Sequence, residues 1–157
     1  RGAKEVRLLL EELGLTSFLK TTGGKGLHVV VPIQPRTSWD DAKAFCKAVA
    51  DFVERAAPDR YVAKMSKAAR KGKIFVDYLR NGRGATAIAP FSTRAKPNAP
   101  VSVPLRWEEL TPRIRSNSFT ITNIFARLDK LKKDPWEEMP KTKQTIKKSM
   151  LESLQAE

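Results

Sequence analysis

The amino-acid sequence predicts a mixed α/β (α+β) fold in which a mostly antiparallel sheet is flanked by helices. Three observations support this fold class. Short runs rich in β-branched residues are separated by tight glycine-containing turns, as in antiparallel hairpins. Other stretches repeat their apolar residues at helical spacing. Hydrophobic residues make up 41% of the 157 residues, which is enough for a globular core.

The N-terminal half contains the clearest elements. Apolar periodicity predicts a helix over 3–13, and the stretches 17–20 and 27–33 read as two strands of a hairpin. A second helix is expected over 38–56, because Ser38 is a good N-cap and acidic residues fill the first turn.

The following segments are less regular. "IFVDYLR" (74–80) predicts a strand, "NGRG" (81–84) a tight turn, and "ATAIAPFS" (85–92) a strand that returns antiparallel. "SFTITNI" (118–124) alternates like another strand, and the next segment predicts a helix that ends before Pro135. The lysine-rich residues 141–157 are expected to form a basic C-terminal helix or tail.

Charge and composition narrow the function. Thirty Lys and Arg residues against 17 acidic residues give a net charge of +13, which favours nucleic acids or nucleotides as partners. The single cysteine, Cys46, falls on the apolar stripe of the second helix and is expected to be a core residue. No disulfide framework and no apolar run long enough to span a bilayer are present, so we expect a cytoplasmic protein without a membrane partner.

The turn between the first two strands has unusual chemistry. Three glycines allow backbone N–H groups close to an anion, while a hydroxyl, a lysine and the only histidine add polar groups suited to a polyphosphate. It is not a P-loop, because a strand rather than a helix follows the lysine. Spacing alone leaves open a glycine-rich hairpin turn with an exposed lysine and a core histidine. The candidate contacts are Thr22, Gly23, Gly24, Lys25, Gly26 and His28.

Asp77 is the second unusual position. It interrupts an otherwise apolar predicted strand, where a carboxylate is costly unless it is paired or bound to a metal. It is also the one acid in the stretch from Arg60 to Arg106, which contains eleven Lys and Arg residues with its two ends included. Either a salt bridge or an Mg²⁺ or Mn²⁺ site explains it. The predicted hairpin would gather four cationic residues around its carboxylate: Arg80, Arg83, Arg94 and Lys96.

Three aromatic residues, Tyr78, Phe91 and Trp107, accompany this basic stretch. They could stack on nucleic-acid bases or pack in the core. A basic surface, a carboxylate and a polyphosphate loop together favour metal-assisted phosphoryl chemistry.

Three blocks in order, "SFLKTTGGKGLHVVVPI", "IFVDYLRNGRGATAIAPFSTRAKPNAPVSVPLRWEEL" and "DPWEEM", resemble the polymerase domain of bacterial ATP-dependent DNA ligase D. The resemblance covers residues 3 to 140 and implies a primase-polymerase-like catalytic core. We therefore expect 1–140 to be the C-terminal part of such a domain, with 141–157 as the basic helix or tail.

The resemblance also implies roles for particular residues. The family's Ser-Gly-Gly-Lys-Gly-x-His signature falls on Thr22–His28, with Thr22 in place of the usual serine, and contacts the triphosphate of an incoming nucleoside triphosphate (NTP or dNTP). The family's strand aspartate falls on Asp77, one of three carboxylates that bind Mn²⁺ or Mg²⁺. Arginines matching Arg80 and Arg94 line the active site. His28 and Asp77 are thus the implied catalytic pair, expected from neighbouring strands that open onto one hollow.

The activity implied by the resemblance is nucleotide addition, often of ribonucleotides, at DNA ends during non-homologous end joining. The implied partners are DNA ends, the ligase domain of the same protein and Ku, in the bacterial nucleoid. The family's Asp-x-Asp metal pair would precede the first helix and does not occur in this sequence. We therefore expect this chain alone to be inactive or nearly so.

Two other function classes stay open from the residues. The chain could be a non-catalytic nucleotide- or nucleic-acid-binding module that uses the same basic surface. It could also be an interaction domain that docks on a ligase or on Ku, with its basic surface merely solvated.

Overall fold

The computed structural model describes residues 1–156, which form two compact units. The first unit comprises Arg1, 3–32 and 88–143, and the second comprises Gly2, 33–87 and the chain from 144 onward. In chain order, the elements are α1 (Gly2–Glu12), β1 (Phe18–Thr21), β2 (Leu27–Val30), α2 (Trp39–Ala56), β3 (Tyr61–Val62), β4 (Ile74–Phe75), β5 (Pro104–Leu105), α3 (Ile124–Lys130) and α4 (Lys148–Gln155). Helices with a small antiparallel sheet confirm the predicted α+β fold class.

The first unit is built on a three-stranded antiparallel sheet in the order β2-β1-β5. The central strand β1 is buried along its whole length. Successive side chains of a strand point to opposite faces, so Leu19 lies on the face opposite to that of Lys20. The Leu19 face holds the hydrophobic core, whose buried members are Leu19, Val101, Val103, Leu105, Leu110 and Ile124.

The second unit is organised around α2. As predicted, Ser38 caps this helix: its Oγ accepts a hydrogen bond from the Asp41 amide at 3.1 Å. Helix α4 packs against α2 through the buried residues Met150 and Leu154, and Arg55 donates to the carbonyl of Leu154 at 2.6 Å. The predicted domain boundary near residue 140 stays a prediction. None of the described helices is long and apolar enough to cross a membrane.

The helix predictions and the first hairpin are confirmed, but the predicted strand over 74–80 is wrong. Only β4 is extended, and it pairs in parallel with the two-residue strand β3. After β4 the Oδ1 atom of Asp77 accepts the amide of Leu79 at 2.9 Å, and a 3₁₀ helix follows at Leu79–Asn81. This side-chain bond bends the backbone and competes with a sheet ladder.

Two dependent predictions are also wrong. Residues 85–92 form no strand, so no antiparallel hairpin returns from the turn at 81–84. Over 118–124 only an isolated bridge at Thr120 is formed. There the Thr120 amide donates to the side chain of Asn123 at 2.8 Å, and that side chain donates to the Ser118 carbonyl at 2.9 Å. Local polar side chains therefore replace ladder partners in this segment too.

Candidate nucleotide-binding site

The glycine-rich turn between β1 and β2 is closed by the hydroxyl of Thr22. Thr22 Oγ1 donates to the carbonyl of Gly26 at 2.7 Å and accepts the amide of Gly24 at 3.1 Å. Thr22 is buried, whereas Lys25 and Gly26 are exposed. The loop therefore has an internally bonded base and an exposed tip that carries a mobile positive charge.

A second segment fastens the loop from outside. The amide of Gly23 donates to the carbonyl of Ser116 at 2.8 Å, and Ser116 Oγ donates to the carbonyl of Gly24 at 2.5 Å. The amides of Gly23 and Gly24 thus donate to protein oxygens in this structure, and the predicted contacts of the loop glycines with a polyphosphate stay a prediction. Ser116 was not predicted as a site residue, and nothing in its local sequence signals this contact.

Gly23 is also required by its conformation and packing. Its φ of +66° lies in the left-handed region, and a Cβ atom there would stand 3.1 Å from the Pro100 carbonyl oxygen and 3.2 Å from Arg94 Cγ. A Cβ atom on Gly26 would meet nothing within 4 Å. Gly23 therefore has a structural reason to be glycine, and Gly26 has no such reason in the described residues.

Arg94 reaches the loop from the long connection before β5. Its Nε atom donates to the carbonyl of Thr22 at 3.0 Å, and its backbone amide donates to the carbonyl of Pro100 at 2.8 Å. Its guanidinium lies 3.9 Å from where a Cβ atom on Gly24 would be. Two residues that the sequence assigned to one ligand, Thr22 and Arg94, are therefore in direct contact.

The strand pairing adds Lys20 to this site. Lys20 is directly opposite His28 in the β1–β2 ladder, so the two side chains share one face of the sheet. Lys20 is only 4% exposed, and its Nζ atom donates to the carbonyl of Ile88. Burial, and secondarily the positive charge of Arg94, lower the pKa of Lys20.

Lys20 was not among the predicted site residues, although the sequence contains a signal for it. Strand alternation places Lys20 on the face opposite to that of Leu19. The register of the predicted hairpin then places Lys20 directly across from the only histidine, His28. One face of the sheet in the first unit thus carries Lys20 and His28 beside a loop that Arg94 contacts. Such a collection of cationic and hydrogen-bonding groups suits an anionic ligand.

Asp77 and Arg80 belong to the second unit, where both side chains are exposed. The prediction that His28 and Asp77 come from neighbouring strands is wrong. His28 lies in β2 of the three-stranded sheet, while Asp77 follows β4 of the separate two-stranded sheet. The prediction that the two side chains open onto one hollow stays a prediction, as do the roles of Asp77 and Arg80.

A two-ion metal site is not completed by the residues described. Over residues 1–156, no group of three or more His, Cys, Asp or Glu side chains is arranged to hold a metal ion. Asp77 is a single exposed carboxylate, which does not by itself fit the pair of ions that the resemblance implies.

The family model described as "LigD, primase-polymerase domain" matches residues 1–136, which is most of the chain. The chain belongs to this family. Both the sequence-based recognition of a ligase D polymerase domain and the fold class inferred with it are thereby confirmed.

Individual relatives of the LigD primase-polymerase family support the assignment. The chain is 45% identical over 147 residues to the "Multifunctional non-homologous end joining protein LigD" of Pseudomonas aeruginosa, a match of 93% of this chain and 18% of that protein. It is 30% identical over 131 residues to the "Bifunctional non-homologous end joining protein LigD" of Bacillus subtilis, covering 83% and 21%. The chain thus spans about a fifth of the length of these curated relatives.

A solved structure of the family has the same fold. The polymerase domain from Mycobacterium tuberculosis Ligase D, in complex with DNA, superposes with a TM-score of 0.80 at 35% identity. The match covers 87% of this chain and 47% of that polymerase domain. The glycine-rich loop and its surroundings are therefore part of a LigD polymerase fold.

Proposed function

We propose that this chain forms part of a nucleotidyltransferase that adds nucleotides to DNA ends during non-homologous end joining. One observation carries the proposal: in a member of the LigD primase-polymerase family, the face with Lys20 and His28 adjoins the loop that Thr22 closes and Arg94 contacts. The proposed substrates are nucleoside triphosphates, often ribonucleotides, and the proposed partners are DNA ends, a ligase domain of the same protein and Ku.

In this proposal the first unit binds the triphosphate. Exposed Lys25 contributes a flexible cation at the loop tip, and Arg94 contributes a planar guanidinium fixed by Thr22. His28 donates a hydrogen bond to a phosphate oxygen. A strand face with fixed cations favours a ligand that carries several negative charges over a singly charged one.

Divalent Mn²⁺ or Mg²⁺ would supply charge neutralisation and activation of the primer 3′-hydroxyl. We propose that Asp77 contributes one carboxylate to that metal site in the longer protein. Because residues 1–156 hold no complete group of metal ligands, we also propose that the 157-residue chain alone does not extend primers.

Primer extension by the full-length protein tests the proposal. Asp77→Asn should lower the extension rate by on the order of a hundredfold or more, since charge neutralisation at the reacting phosphates is lost. Asp59→Asn is a matched control, because Asp59 is also an exposed aspartate of the second unit. Normal extension by the Asp77→Asn protein would contradict the role of Asp77.

The absence of a complete metal-ligand group in residues 1–156 also favours a second candidate, a non-catalytic nucleotide- or nucleic-acid-binding module. This candidate predicts binding with a steep dependence on salt, because each phosphate contact releases a counterion. It also predicts that the full-length protein adds no nucleotide to a primer with either Mn²⁺ or Mg²⁺. Metal-dependent extension would exclude it.

A further inference from the structure

Phe91 occupies a turn position that is unfavourable for its side chain. The turn spans 89–92 and is closed by a hydrogen bond of 3.2 Å from the Ser92 amide to the Ala89 carbonyl. Pro90 is its second residue, and Phe91, its third, has a φ of +62°. Turns with proline second and a positive φ third normally have glycine or asparagine at that third position, because other side chains are strained there.

Packing within the described residues does not explain this phenylalanine. Phe91 is 51% exposed, so about half of a large apolar side chain faces solvent. A glycine would fit the backbone better and would remove the exposed ring. An observed strained residue with an exposed aromatic side chain is a reason to look for a ligand.

The backbone around Phe91 is held firmly enough to maintain the strain. The amide of Phe91 donates to the carbonyl of Ser102 at 2.6 Å, and the amide of Ser102 donates to the carbonyl of Ser92 at 2.9 Å. Ser102 is fully buried, and its Oγ atom donates to the carbonyl of Thr21 at 2.7 Å. These hydrogen bonds connect the turn to Thr21, which is the last residue of β1 and directly precedes the glycine-rich loop.

The segment that displays Phe91 also makes hydrogen bonds with two cationic side chains, Lys20 of β1 and its own Arg94. Three residues before Phe91, the Ile88 carbonyl accepts a hydrogen bond from the Nζ atom of Lys20. Three residues after it, Arg94 donates to the Thr22 carbonyl. An exposed aromatic ring on a hydrogen-bonded backbone, in a segment that contacts two buried or half-buried cations, matches a ligand with a flat π-face and phosphate groups.

We propose that Phe91 is a stacking platform for a nucleobase, a role that rests on the proposed function of the glycine-rich loop. The aromatic ring contacts the face of the base and selects no particular base, since every base has a π-face. The base belongs either to the bound nucleoside triphosphate or to a DNA strand, and the experiment separates these two sources.

The test compares a ligand that carries a nucleoside on its phosphates with a ligand that consists of phosphates alone. Dissociation constants of ATP and of inorganic tripolyphosphate are measured by calorimetry on the full-length protein, as wild type, Phe91→Gly and Phe91→Trp. Phe125→Ala is the matched control, since Phe125 is a 70% exposed phenylalanine of the same unit within helix α3. Binding of single-stranded DNA with and without abasic sites forms the second arm.

For a base that belongs to the nucleotide, Phe91→Gly should weaken ATP about five- to a hundredfold and leave tripolyphosphate within about twofold. Phe91→Trp should keep ATP affinity, and Phe125→Ala should change neither. For a base that belongs to DNA, the loss should appear with the intact strand and vanish with the abasic one. Either pattern supports the platform.

Thermal unfolding provides the check on a structural role. Glycine suits the positive φ, so Phe91→Gly should leave the Tm of the full-length protein unchanged or raise it. A fall in Tm with unchanged affinities in both arms would assign Phe91 to packing and overturn the proposal, as would unchanged affinities with an unchanged Tm. Failure of the wild-type protein to bind either ATP or tripolyphosphate would instead refute the proposed function.

Discussion

A pair of alanine substitutions within one loop tests how the candidate nucleotide site is built. Gly23→Ala and Gly26→Ala add the same methyl group three residues apart. Gly23 has a φ of +66° and is crowded by the Pro100 carbonyl and by Arg94, whereas Gly26 has open space within 4 Å. The two variants should therefore differ strongly in stability.

The expected difference can be worked out from these contacts. Placing alanine in the left-handed region costs about 1–2 kcal/mol, and relieving contacts of 3.1 and 3.2 Å against the backbone and Arg94 adds roughly 1–2 kcal/mol. Gly23→Ala should thus lower the free energy of unfolding by about 2–4 kcal/mol. Gly26→Ala should change it by no more than about 1 kcal/mol, and upward, because alanine reduces the freedom of the unfolded chain.

Urea denaturation followed by tryptophan fluorescence measures both values. With a slope near 2 kcal/mol per molar urea, the midpoint for Gly23→Ala should fall by about 1–2 M. Equal midpoints for the two variants, or a larger loss for Gly26→Ala, would refute this account of the loop. If Gly26→Ala keeps its stability but binds tripolyphosphate more weakly, Gly26 is a glycine for close approach of the ligand.

Three further predictions follow from individual side chains. Burial alone would raise the pKa of Glu109, but hydrogen bonds from Arg127 and from the backbone outweigh burial and lower that pKa. Glu109→Gln should therefore lower the free energy of unfolding by about 1–3 kcal/mol at pH 7. In denaturation curves, the difference in stability from wild type should shrink as the pH falls below 4.5 through the lowered pKa. Burial raises the pKa of Cys46 to about 11 from 9.0, so its reaction with a disulfide reagent at pH 8 should be on the order of a hundredfold slower than that of a free thiol; rapid labelling of the native protein would contradict this. Lys20→Met should weaken tripolyphosphate binding about tenfold. Lys4→Met is the control, because it removes an exposed charge of the same unit and should leave the binding affinity unchanged. Equal losses of affinity in the two variants would mean that only net charge matters.

Helix α2 and the first hairpin were predictable because several signals agree there. Ser38, the acidic first turn and the apolar stripe all indicate one helix, and the structure forms it. The glycine-rich turn sets the β1–β2 register, which in turn opposes Lys20 and His28. Lys20 could have been found by following that register, whereas Ser116 could not, because its contacts join positions more than ninety residues apart in sequence.

The strand predictions failed where local polar side chains supply alternative hydrogen bonds. The Asp77 side chain accepts a hydrogen bond from the amide two residues later in the chain. The Asn123 side chain accepts a hydrogen bond from the Thr120 amide and donates one to the Ser118 carbonyl. Alternating hydrophobicity therefore predicted longer strands than the neighbouring strands can pair with. For example, β3, which pairs with β4, is only two residues long. A carboxylate or an amide within an alternating run is a reason to expect a bend.

The alternation of side chains along β1 has a consequence for the evolution and engineering of the strand that leads into the glycine-rich loop. Leu19 packs in the hydrophobic core, whereas its neighbour Lys20 lies on the opposite face of β1, where we propose the triphosphate binds. An insertion or deletion of one residue in β1 would reverse this alternation, so that the lysine would point into the hydrophobic core and the leucine toward the proposed triphosphate site. Variation in this part of the family should therefore be confined to exchanges of residue type or to length changes in pairs.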